Sequence, residues 1–240
     1  MNLQSLNLAG CEKLRELHPS ISRLTKLTLL DLGFCKSLIN LPDLGETMNL
    51  GLLNLAGCEK LKELHPSIGR LTELTLLDFA FCKSLIKLPD LGEAMNLQSL
   101  NLAGCEKLTE LHSSICRLTK LTFLDLGFCK SLLKLPDLGE AMKLRWPNLA
   151  GCEKLRELHP SIGRLTKLTL LNLELCKSLV KFPNLGEAMK LRSLNLAGCE
   201  KLRELHPSIG RLTKLTFWIW DSAKVLSSCQ ILERPWNFSR

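Results

Sequence analysis

Tyrosine is absent from this 240-residue chain, and aromatic residues make up only 5% of it. Long apolar runs are missing as well: no stretch of 18 apolar residues exists, so no segment has the length of a membrane span. The N-terminus shows no basic run followed by an apolar core, so no signal peptide is visible. Paired CxxC clusters are lacking, which removes the usual zinc frameworks. There is no phosphate loop, serine triad or dinucleotide fingerprint. An enzyme is not expected, and neither a cofactor nor a metal is implied. The net charge of +8 comes from 32 basic and 24 acidic residues scattered along the chain. Charge of that size and spread predicts weak attraction to acidic partners but no nucleic-acid footprint.

What the chain has is leucine and repetition. The string "LNLAGCEKLRELHPSI" begins at Leu6, and close copies begin at Leu53, Leu100 and Leu194, with a damaged copy at Asn148. Met1, Met48, Met95, Met142 and Met189 mark a period of 47 residues. Each period splits into units of 24 and 23 residues, both reading LxxLxLxxCxxLxxL. Five copies of one catalytic site would serve no purpose, whereas five copies of one structural unit build a stack.

This spacing resembles a leucine-rich repeat over almost the whole chain. Its physics is direct. In Leu6-Asn7-Leu8 the two leucines face one side and Asn7 the other, which is a short strand. Stacked units pair these strands into a parallel sheet. Leu14 and Leu17 fill the coil interior, and Pro19 or Pro42 interrupts any regular helix on the return side. The expected fold is an α/β solenoid, a right-handed superhelix with one short parallel strand per 23–24-residue coil and irregular or 3-10 return segments. Ten coils stacked at strand spacing give an arc of roughly 45 Å. The solenoid is expected over residues 1–221, with the last coil degenerate, and 222–240 is read as a non-repeat tail or partial cap.

Nine of the 11 cysteines recur at one fixed point of each unit, from Cys11 to Cys199. A cysteine at the same place in every coil is a ladder of buried thiols rather than a set of disulfide pairs. Cys116 and Cys229 fall outside it. All five histidines, His18, His65, His112, His159 and His206, recur once per long unit and are read as loop residues of the return side. The slot held by Leu24 in one half-unit holds Thr47, Ala94, Ala141 or Ala188 in the other, which narrows alternate coils.

The outward strand positions define a concave face, the usual binding surface of such stacks. Leu29, Leu76, Phe123, Leu170 and Phe217 form one row. Asp31, Asp78, Asp125 and Asn172 belong to a second row that alternates with asparagines. Phe34, Phe81 and Phe128 stand just beyond the strands. Two readings of these phenylalanines stand together: exposed aromatic anchors for a protein partner, or rings that fold over the coil edge and complete the core. Most basic residues, such as Lys13, Arg15 and Lys26, fall in return segments or where strands begin and are read as a solvated outer surface. Asp43 with Glu46 has no nucleophile or base nearby and reads as a pair of solvated turn carboxylates.

The pattern breaks twice. Pro147 takes an inward leucine position, lacks an N–H for the ladder, and should leave the weakest coil. After Asp221 no repeat register remains: Val225, Leu226, Ile231, Leu232 and Trp236 either cap the stack or belong to a read-through tail. Met1-Asn2-Leu3 leads straight into the first strand with no capping segment, and Asn237-Phe238-Ser239 matches a glycosylation pattern.

The text "LNLAGCEKLRELHPSIGRLTKLTLLNLELCKSLVKFPNL" resembles the leucine-rich region of plant intracellular disease-resistance receptors, the class with a TIR domain, a nucleotide-binding switch and repeats. The cysteine-containing turns and the "HPSIG" step carry the likeness. It implies a protein-interaction role in pathogen recognition and defence signalling. The implied partner is a pathogen effector, a guarded host protein or the receptor's own switch domain, in the cytoplasm or nucleus. The alternative is a generic intracellular leucine-rich-repeat scaffold or a non-functional receptor fragment.

Overall fold

The computed structural model describes residues 2–45, 49–139 and 143–220. The 222–240 segment, with Cys229 and the Asn237-Phe238-Ser239 pattern, lies outside them, as do Met1, Glu46, Thr47, Met48, Ala141 and Met142.

Each LxLx unit gives one three-residue strand: β1 (Ser5–Asn7), β2 (Leu29–Asp31), β3 (Leu52–Asn54), β4 (Leu76–Asp78), β5 (Ser99–Asn101), β6 (Phe123–Asp125), β7 (Trp146–Asn148), β8 (Leu170–Asn172), β9 (Ser193–Asn195) and β10 (Phe217–Ile219). They form one 10-stranded sheet in chain order, all pairs parallel. The strands are short because the interior is one coil thick, and the chain must turn back as soon as two inward side chains have been placed. Those inward residues, for example Leu53, Leu55, Leu100 and Leu102, are fully buried against the neighbouring coils. In the first coil Leu6, Leu8, Leu14, Leu17 and Leu24 are only partly buried, since coil two covers them from one side alone.

The return side alternates. In odd coils a five-residue 3-10 turn forms, as at Pro66–Arg70 and Pro160–Arg164. Proline suits its first position because that N–H has no partner in a helix anyway. The histidine before it is the cap: His65 Nδ1 accepts from the Ser67 backbone N–H at 3.3 Å, and the other four histidines do the same. Return-side placement of the histidines therefore holds, and the structure gives them a capping task that aspartate or serine usually performs. The buried Ser67 hydroxyl in turn accepts from the Leu44 N–H of the preceding coil at 3.1 Å, and Ser114, Ser161 and Ser208 repeat that link.

The residue after Ile in this turn bears on the backbone of the following coil's loop. A Cβ on Gly69 would lie 1.7 Å from the Asp90 carbonyl oxygen, and one on Gly163 would lie 1.8 Å from that of Asn184. Where Ser22 and Cys116 supply a Cβ instead, the next loop adopts a different backbone: Gly45 and Gly139 take φ of +75° and +70°. Gly92, in a loop with the same PDLGEAM text as Gly139, does not take a positive φ. One methylene in one coil thus selects the shape of the next.

Candidate protein-binding face

Three rows of side chains cross the outer face of the sheet, each fixed by strand register. The first strand position runs Leu29, Leu52, Leu76, Ser99, Phe123, Trp146, and then Leu170, Ser193, Phe217. Leu29, Leu76 and Phe123 are half-buried, and Leu170 is exposed. Sequence reasoning had missed Leu52 and Trp146 from this row. Trp146 is 48% exposed and stands between Phe123 and Leu170 in this row, so three large apolar side chains follow one another from β6 to β8. The signal was present in the repeat frame but hidden by its broken text at Pro147.

The second row is more self-contained than its charges suggest. Asp31 Oδ1 accepts from the Gly33 N–H at 2.9 Å and from Asn54 Nδ2 at 2.8 Å. Asp125 Oδ1 repeats this with Gly127 and Asn148, and Asp78 accepts from Ala80 N–H and from Asn101. In β8 the aspartate is replaced by Asn172, and Glu174 supplies the carboxylate to Asn195 Nδ2 at 3.2 Å. These aspartates fix each strand's exit turn and tie coils in pairs, which accounts for the Asp/Asn alternation without a ligand.

The third row places the phenylalanines outside the core. Phe34, Phe81 and Phe128 are 57%, 55% and 53% exposed. They are surface residues, not core. Each has φ near +60°, a region costly for a bulky residue. The equivalent position in odd coils is glycine, also at positive φ, as in Gly57 and Gly104. Each ring lies over the glycine of the next coil: a Cβ on Gly57 would stand 2.6 Å from Phe34 Cδ1, and one on Gly104 2.7 Å from Phe81 Cδ1. A phenylalanine in one coil requires a glycine in the next, and this is a physical reason for a repeat unit of two coils.

Behind the sheet, the thiol ladder is built as the spacing implied. Cys35 to Cys199 are buried and unpaired, while Cys11 in the first coil is exposed. Each buried thiol donates to a carbonyl of the preceding coil: Cys58 Sγ to Leu32 at 3.2 Å, Cys105 Sγ to Phe79 at 3.2 Å. Burial pushes the Cys58 and Cys129 thiols up to about 12 and the Cys199 thiol to about 11. These groups are inert donors, not nucleophiles. The turn carboxylates of Asp43, Asp90 and Asp137 are held below the usual range, chiefly by the N–H of the glycine two residues on. Among the described residues no group of three or more His, Cys, Asp or Glu is placed to hold a metal. No described helix is long and apolar enough to cross a membrane.

The leucine rich repeat family matches residues 96–118. Among solved structures, the leucine-rich repeat domain of the type III effector XopL has a TM-score of 0.68 at 26% identity, over 90% of this chain and 76% of that one. The fold is a leucine-rich-repeat solenoid. A Leptospira interrogans LRR protein gives a TM-score of 0.48 at 24% identity, over 86% of this chain and 63% of its own. The functional domain of InlJ from Listeria monocytogenes, described as including a cysteine ladder, gives 0.28 at 18%, over 90% and 62%. No curated protein matches the chain by sequence. The family match and the XopL domain thus support a leucine-rich-repeat solenoid and do not single out plant immune receptors.

Proposed function

We propose that the chain is a protein-interaction module, with the concave sheet as its docking surface. The observation that carries this is the row of three consecutive large apolar side chains, Phe123, Trp146 and Leu170, on a face whose aspartates are already occupied by neighbouring coils. Exposed aromatics in such a row contribute about 2 kcal/mol or more each when a partner buries them. The test compares a Phe123→Ser, Trp146→Ser variant with a Lys13→Ala, Arg15→Ala variant in capture of proteins from plant extract. Serine already occupies the same row at Ser99 and Ser193, so the first variant should stay folded, which circular dichroism checks. Loss of captured proteins in that variant alone is the expected result. If it keeps every partner and the basic variant loses them, the concave assignment is wrong.

A narrower reading places the module in a plant immune receptor, contributing to effector recognition and defence signalling inside the cell. The repeat text around "HPSIG" supports it, and the comparisons support the broader module. The genomic sequence before Met1 separates the two. An open frame for a TIR and a nucleotide-binding domain favours the receptor, and a promoter with its own start codon favours a free-standing scaffold.

A further inference from the structure

The residue just before the first leucine of each coil divides the solenoid in two. In coils one to five it is asparagine, except for Lys26 and Glu73; in coils six to ten it is Lys120, Lys143, Lys167, Lys190 and Lys214. Backbone bonds hold these positions in register. Arg145 N–H donates to the Thr122 carbonyl at 3.0 Å, Thr169 to Arg145 at 3.0 Å, Arg192 to Thr169 at 2.8 Å and Thr216 to Arg192 at 3.0 Å. The lysines therefore stand one per coil along the edge where strands begin, at roughly 4.8 Å of coil spacing. Arg145 and Arg192 add two cations on the side toward the sheet.

Several lysines elsewhere on this solenoid are paired with a glutamate of the preceding coil: Lys36 with Glu12 at 2.7 Å, Lys83 with Glu59 at 3.2 Å and Lys130 with Glu106 at 3.2 Å. Along the rim, Lys120 reaches the Asn96 amide oxygen, and no ion pair forms to any of the five lysines among the described residues. The crowding registers on Lys190, whose ammonium is held below its usual range by the charge of Lys167 first, and by Lys214 and Arg145 further off. Stacking like charges at this spacing is unfavourable, and an anionic partner relieves it.

Immediately inside this rim lies the Phe123–Trp146–Leu170 patch, followed by the neutral amides Asn148, Asn172 and Asn195. We propose that this rim and patch together bind an acidic protein segment carrying an apolar side chain among its carboxylates, the carboxylates meeting the lysines and the apolar group meeting Trp146. The proposal rests on the concave-face reading and names the chemistry of its partner. A nucleic acid fits less well. Its evenly charged backbone would press against the carboxylates of Asp125 and Glu174, and it offers no aliphatic anchor.

The experiment measures fluorescence anisotropy of the full chain with a labelled glutamate-rich peptide containing one central leucine. Its companions are the same peptide with alanine for leucine, one with glutamine for glutamate, and single-stranded RNA of equal charge. Lys143→Glu, Lys167→Glu, Lys190→Glu is compared with Lys60→Glu, Lys107→Glu, Lys154→Glu, which makes the same charge change on exposed lysines away from the rim. Trp146→Ser is a third variant. The expected result is a Kd about tenfold or more weaker for the rim triple, little changed for the control triple, and weaker with added salt. Equal losses in both triples, or RNA binding the wild type more tightly than the peptide, would overturn the proposal. If Trp146→Ser and the alanine peptide bind unchanged while the rim triple fails, the rim binds anions alone and the concave-face reading falls, separately from the rim itself.

Discussion

Replacing Pro147 with leucine should stabilise the solenoid locally. In this parallel ladder the N–H groups of inward residues point to the following coil: Leu149 donates to the Asn172 carbonyl at 2.8 Å. By the two-residue period, position 147 would donate to the same neighbour, and proline has nothing to give. The pairing of β7 with β8 accordingly shrinks to Asn148↔Asn172, where other strands align three residues, as in β3 with β4. One regained bond contributes about 1 kcal/mol. One more buried methylene between Leu124 and Leu171 contributes about 0.8 kcal/mol. Loss of proline's restraint on the unfolded chain costs about 0.5–1 kcal/mol. The net is a gain of about 1 kcal/mol, concentrated in the coil of β7. Hydrogen exchange resolved by coil is the assay, because each coil of a solenoid contacts only its neighbours. The wild type should open first around β7 and β8, and Pro147→Leu should bring their protection level with the neighbours. Equal protection across coils four to nine in the wild type would refute the reasoning.

Three further outcomes follow from the same geometry. Native alkylation near pH 8 should modify Cys11, which is exposed, and spare Cys58, Cys105 and Cys129; labelling of Cys105 at the rate of Cys11 would contradict the thiol ladder. Gly69→Ala, whose Cβ would meet the Asp90 carbonyl at 1.7 Å, should drive the following loop to the positive-φ backbone seen at Gly139 at a cost of about 1 kcal/mol or less, and a much larger drop in thermal stability would show that the loop cannot switch. Because Asp43, Asp90 and Asp137 have lowered pKa values when folded, their contribution is full above the ordinary aspartate value and is lost as pH falls through the lowered ones. Exchanging all three for asparagine keeps the turn, as Asn184 does with Gly186. That variant should show a shallower loss of stability below about pH 4, and an unchanged acid slope would count against it.

The spacing of leucines made the coils, the strand positions and the buried thiols legible, because period two and one-coil thickness leave no other place for them. Phe34, Phe81 and Phe128 were not legible. Alternation takes them off the core, but only coordinates show a left-handed backbone and a ring lying over the next coil's glycine. The capping role of His65 was hidden for a different reason: sequence habit assigns that job to serine or aspartate, and here the imidazole performs it while the buried Ser67 hydroxyl bonds the preceding coil. The lysine rim escaped notice because its members lie 23 or 24 residues apart and align only once the coils are stacked. Trp146 was obscured by Pro147 beside it.

The central claim is that partners dock on the concave sheet. It is tested most directly by photo-crosslinking with a crosslinking amino acid placed at Phe123, on that sheet, or at Ser113, exposed on the return side of the preceding coil. The account predicts discrete protein adducts from plant extract at position 123 and none at 113. Adducts at 113 with none at 123 would contradict it.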